Sequence, residues 1–201
     1  MTTATTTAPS LTNFVAPARV DLPGLCAHLD GLDEAARVAF VRSIGARQQA
    51  LLYEAAAGFR PLTLDDFVPA GVAPLTQIIH SGKNSLGAFT LFEKRFCRAT
   101  GRADRLFGYN EQSLKTITGP GYFVCYQIDA GQVLIDYTEL PPEKPDAWPP
   151  ILSNKARLSR FIYNGTKDTM RGLSKHVSVG RAARGEKWMD NWFVLCRRER
   201  V

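Results

Sequence analysis

Two apolar runs separated by a glycine-bearing loop constrain this chain more than any other feature. Tyr122 to Ile128 ("YFVCYQI") and Gln132 to Leu140 ("QVLIDYTEL") flank Asp129-Ala130-Gly131. Short runs rich in aromatic and β-branched residues, joined through such a loop, predict a β-hairpin over 122–140. Side chains alternate across a strand, so Tyr122, Val124, Tyr126 and Ile128 share one face and Phe123, Cys125 and Gln127 the other. Both faces are largely apolar. Such a strand needs cover on both sides, with one face on helices and the other lining a cavity or meeting a second sheet.

Upstream the pattern is helical. Asp21 is placed to cap a helix starting Leu22-Pro23, with Leu22, Leu25, Cys26, Leu29 and Leu32 on one side and Gly31 at its end. A longer helix is expected from Asp33-Glu34 to Gly58, pairing with the first as a helical hairpin, and Thr63 to Asp66 reads as a capped turn. Pro74 to His80 suits a short helix ending at His80. Asn84 or Ser85 then caps another, whose apolar stripe is Leu86, Phe89, Phe92 and Phe96 and whose outer face carries Lys94, Arg95 and Arg98.

Beyond Thr100 strands take over, first the hairpin and then "KHVSVGRA" and "DNWFVLC", joined through a loop containing Arg184-Gly185. The prolines of "PPEKPDAWPP" force an irregular connection, with Trp148 as its anchor on the core. Segment 154–172 fits either state, since Leu158, Phe161 and Ile162 suit a helix face while Asn164-Gly165 is a turn signal. The expected fold is therefore α+β: an N-terminal helical hairpin and short helices packed on a curved antiparallel C-terminal sheet or partial barrel. One domain spans 19–201, mainly helical over 19–99 and mainly strands over 100–201, after a flexible tail over 1–18.

Composition narrows the function classes. With 45% hydrophobic and 22% charged residues the chain resembles a globular domain. No apolar run approaches the length of a membrane span, and the Thr/Ala/Pro-rich start lacks the basic and apolar regions of a secretory signal, so a soluble cytoplasmic protein is expected. Cys26, Cys97, Cys125 and Cys196 lie far apart and read as reduced, mostly buried thiols. No ligand spacing of the zinc type occurs, and neither a metal nor a cofactor is expected. The net charge of +6 is concentrated in segments 80–120 and 155–201, with an acidic segment between them.

Four groups of residues carry candidate chemistry. Gly82-Lys83-Asn84-Ser85 resembles a phosphate loop, but Gln77 stands where the first glycine belongs and Asn84 where the magnesium-binding hydroxyl belongs. What remains is an anion held by Lys83 at a helix start. His176 would share a strand face with Ser174 and Ser178, at about 7 Å spacing, too far for a nucleophile–base pair. A catalytic His176 therefore needs Cys125, Cys196 or Tyr122 from another strand, with Asp136 or Asp190 to orient it. The hairpin suggests a ligand cavity lined by Tyr122 and Tyr126, with Arg171, His176 and Arg181 as polar or cationic anchors. Basic segments 80–120 and 155–201, with Lys94, Arg95, Arg98, Arg197, Arg198 and Arg200, suggest nucleic acid. In order, these give a non-enzymatic binder of a small amphipathic or anionic ligand, a nucleic-acid-binding protein, and an enzyme centred on His176.

Overall fold

A computed structural model describes residues 9–87, 90–112, 119–129, 131–154 and 164–199. A short ribbon, β1 (Val15–Ala16) and β2 (Arg19–Val20), leads into helices α1 (Leu22–Gly31), α2 (Glu34–Ser43) and α3 (Ala46–Ala55), and a single turn α4 (Leu64–Phe67) follows. Among the described residues eight further strands follow: β3 (Ile78–Asn84), β4 (Leu91–Ala99), β5 (Arg102–Glu111), β6 (Tyr122–Asp129), β7 (Gln132–Asp136), β8 (Thr166–Gly172), β9 (Val177–Arg184) and β10 (Lys187–Arg197). Each pairs antiparallel with the next, and β10 returns to β3, with Leu195 opposite Gly82, so the sheet closes into a barrel. Closure leaves no unpaired edge along the ring.

The α+β architecture, with helices against a curved antiparallel sheet, is the expected one, and closure is complete. The Asp21 carboxylate accepts from the Gly24 amide at 3.0 Å and starts α1. The long second helix is instead divided, because Gly45 stands extended between α2 and α3 and caps the latter. The helices expected over 74–80 and after Asn84 are absent, since Ile78–Asn84 and Leu91–Ala99 are paired strands. Phe92 and Phe96 therefore alternate inward along β4 rather than lining a helix, and Phe89 lies outside the described residues. His80 sits within β3, almost fully buried, and not at a helix end.

Three apolar clusters organise the packing. Inside the barrel lie Ile78, Phe96, Leu106, Phe123, Cys125, Ile135, Met170 and Leu195, and α4 closes one end with Leu64 and Phe67. Helices α1 to α3 press Leu25, Leu29, Val41 and Leu52 onto the outer faces of β9 and β10, meeting Val177, Val179, Val194 and Cys196. Tyr122 and Val124, on the outer face of β6, lie under Trp148 from the proline-rich connection. From Tyr122 to Cys125 the hairpin is thus covered on both faces, though its outward face meets Trp148 rather than the N-terminal helices, while Gln127 to Asp129 are exposed.

One device recurs around the barrel wall. Gly82, Gly108 and Gly180 stand directly across from Phe92, Phe123 and Phe193 on the neighbouring strands. A Cβ at these glycines would lie 2.6, 2.3 and 2.4 Å from the opposing ring. Each glycine therefore lets a phenyl ring lie against the wall where a side chain would have pushed it into the bore.

Candidate functional site

The three phenyl rings fixed by these glycines surround one amine. Lys94 projects inward from β4 between Phe92 and Phe96, and its residue is only 2% exposed. Its Nζ stands 5.7 Å from the centre of the Phe92 ring, 5.2 Å from Phe123, 5.0 Å from Phe193 and 4.9 Å from Tyr137. Aromatic faces attract a cation, and the attraction strengthens when water is excluded.

Hydrogen bonds fix the amine. Nζ donates to Asn110 Oδ1 at 3.0 Å, to Asp168 Oδ2 at 3.2 Å and to the Tyr137 hydroxyl. The Tyr137 hydroxyl also accepts from Asn110 Nδ2 at 3.0 Å and donates to Asp168 Oδ2 at 3.3 Å. Register explains the placement: Asn110 is the cross-strand partner of Lys94, whereas Asp168 comes from β8, on the opposite side of the ring. Burial holds the Lys94 ammonium below its ordinary pKa, against the opposing pull of Asp168. Burial likewise raises the Asp168 carboxyl, with Lys94 and Tyr137 countering. Burial thus moves the two pKa values toward one another.

This network forms part of the wall of a pocket of about 190 Å³ at the end of the barrel opposite α4. Phe92, Phe193, Leu86 and Met189 make its apolar walls, while the Lys94 network, Thr166, and Asn84, Gln112 and Asn191 supply polar groups. An apolar cavity with a few convergent polar groups is the usual form of a small-molecule site.

The residues expected to hold a ligand lie elsewhere. Lys83 points away from the bore and donates to the Arg42 carbonyl at 2.7 Å, and no helix N-terminus stands beside it, because Asn84 ends a strand. Tyr122 is on the outer face, its hydroxyl donating to the Pro149 carbonyl at 2.5 Å. Tyr126 is also outside, bonded to Asp136 at 3.2 Å with Arg105 over its ring. Arg171 lies over Tyr53 and donates to its carbonyl at 2.6 Å. Arg181 is held between the Trp188 and Trp192 rings. The structure brings none of the six into the Lys94 pocket.

His176 precedes β9 rather than lying within a strand. Its Nδ1 accepts from Arg197 at 3.2 Å, leaving its proton on Nε2, which faces Glu199 at 3.7 Å. Burial, with Arg37 and Arg197 nearby, lowers its pKa. Its partners are thus Arg197 and Glu199, not Cys125, Cys196 or Tyr122. With His80 and Ser174 it borders a void of about 10 Å³ near α4, roughly the room one water needs. Among the described residues no three His, Cys, Asp or Glu side chains meet as a metal group.

The arginines expected to meet nucleic acid are engaged within the protein. Arg95 donates to Glu93 and Gln77, Arg98 to Asp65 and the Val68 carbonyl, and Arg198 to Glu93 and Ser81. Arg197 reaches the Asp65 carbonyl, and Arg200 lies outside the described residues. All four cysteines are free thiols, and Cys97, Cys125 and Cys196 are buried. Among the described residues no helix is long and apolar enough to cross a membrane. No family model, curated protein or solved structure matches this chain.

Proposed function

We propose that the barrel binds a small amphipathic molecule in the Lys94 pocket. The observation that carries this reading is a closed Lys94–Asp168–Tyr137–Asn110 network bordering a cavity that also offers the apolar faces of Phe92, Phe193, Leu86 and Met189. The apolar part of the ligand rests on Phe92, Phe193 and Met189, and its polar end meets the network. Lys94 already has a carboxylate partner, so a neutral polar end, a carbonyl or hydroxyl, suits the site better than a second anion. A cavity near 150 Å³ accepts benzene, so this one holds a ligand of roughly eight non-hydrogen atoms.

The test is a titration with benzyl alcohol, followed by NMR of methyl-labelled methionine. Met189 lines the pocket while Met170 lies in the barrel core. Saturable movement of the Met189 signal, with sodium benzoate binding more weakly, is the expected result. A Met189 signal unmoved by benzyl alcohol and 1-hexanol overturns the reading. The nucleic-acid alternative has less support, because among the described residues Lys94, Arg95, Arg98, Arg197 and Arg198 are bonded to carboxylates, carbonyls and other side chains of the same chain.

A further inference from the structure

We infer that Lys94 is a nucleophile that condenses with small apolar aldehydes or ketones entering the pocket, holding them as a protonated imine. The inference rests on the binding reading above and names the class of molecule bound. Three features support it.

First, Nζ is a primary amine packed among the Phe92, Phe123 and Phe193 rings at the border of a pocket, the desolvated surroundings in which a lysine becomes nucleophilic. Second, a carboxylate stands at 3.2 Å, close enough to take and return protons without solvent. Third, the network is anchored on three strands, β4, β5 and β8, and on Tyr137 directly after β7, so the amine keeps its place while its protons move. Burial adds to this: each unit by which it lowers the ammonium pKa raises the neutral fraction about tenfold.

The chemistry balances with the groups present. Lys94 passes one proton to Asp168, and its lone pair attacks the carbonyl carbon. The C–N bond forms, the carbonyl π pair moves to oxygen, and Asp168 returns the proton to that oxygen, giving a carbinolamine. Asp168 then takes a proton from nitrogen and delivers it to the hydroxyl, which leaves as water while the nitrogen lone pair closes the C=N bond. A final proton balance leaves the imine protonated and Asp168 ionised. One amine and one carbonyl become one imine and one water, and Asp168 remains as counter-ion.

The experiment treats the full chain with benzaldehyde and sodium cyanoborohydride, then maps the reduced adduct by peptide mass spectrometry. Labelling of Lys94 at least about tenfold faster than exposed Lys175 and Lys187 is expected, with benzyl alcohol protecting Lys94. Asp168→Asn should slow Lys94 labelling about a hundredfold. Should that variant fail to fold, the map on the unaltered chain decides alone. Adducts on surface lysines with Lys94 unlabelled overturn the inference. If benzyl alcohol nonetheless moves Met189, the imine falls while the binding reading stands; if it does not, both fall.

Discussion

Lys94 and Asp168 meet across the bore of the barrel, their charged atoms 3.2 Å apart although they stand on opposite sides of the strand ring. Both side chains are nearly inaccessible, so each charge depends on the other. Removing one partner leaves an uncompensated buried charge, which typically costs about 3–5 kcal/mol. Lys94→Met should therefore destabilise strongly, with the Asp168 carboxyl rising further. The double variant Lys94→Met/Asp168→Leu should recover most of that loss. Urea denaturation of the four proteins checks it: if the double variant loses the sum of the single losses, the two side chains are not coupled.

Gly180 tests whether the wall glycines shape the pocket. Its added methyl would lie 2.4 Å from the Phe193 ring and 2.5 Å from Met170 sulfur. Gly180→Ala should cost about 1–3 kcal/mol by overpacking and push Phe193 into the cavity, weakening benzyl alcohol binding. Gly31→Ala, with nothing within 4 Å of the new atom, is the control and should leave thermal stability unchanged or slightly raised.

The hairpin, the Asp21 cap, the Trp148 anchor and the Asn164-Gly165 turn were legible because each is written in neighbouring residues. Residues 78–99 were not. Phe92 and Phe96 fall at helical spacing although both lie on a strand, and Lys94 interrupts the alternation of Phe92 and Phe96 that marks it. The same lysine then looked like part of a solvated basic face. The signal that could have found it is Phe-x-Lys-x-Phe at period two, a cation on the aromatic face of a strand. Asp168 fell in the ambiguous segment 154–172, and its meeting with Lys94 depends on closure between β3 and β10, which no local pattern encodes. Of that segment, 155–163 lies outside the described residues, while Thr166–Gly172 is strand.

Tyr137 separates network from packing. Its hydroxyl links Lys94, Asn110 and Asp168, while its ring packs against Phe123 at 5.3 Å between centres. Tyr137→Phe keeps the ring and leaves the buried Asn110 amide short of a partner, which should cost about 1–3 kcal/mol. If the hydroxyl also orders the amine, Lys94 labelling by benzaldehyde should broaden in pH dependence and slow. An unchanged stability and labelling profile would show that Asn110 and Asp168 suffice to hold the lysine.

His80 sets the response to acid. Its Nε2 lies 3.0 Å from the Phe67 carbonyl, which can only accept, so the proton sits there and Nδ1 is bare. Burial lowers its pKa from 6.5 to about 3; the Phe67 bond opposes this, while Arg197, His176 and Lys94 assist. Between those two values the unfolded chain binds a proton that the folded chain refuses. Stability must then fall as pH drops through the window, by up to about 1.4 kcal/mol per pH unit. His176, also lowered, acts in the same direction; Asp168, raised, acts oppositely, its contribution present in acid and lost as pH rises through its folded value. His80→Gln should lower stability at pH 7.5 yet flatten the acid limb between pH 6.5 and 4, measured by urea midpoints at constant m-value. If the limb keeps its slope in the variant, another group takes up the acid proton and the buried imidazole is not the one that matters.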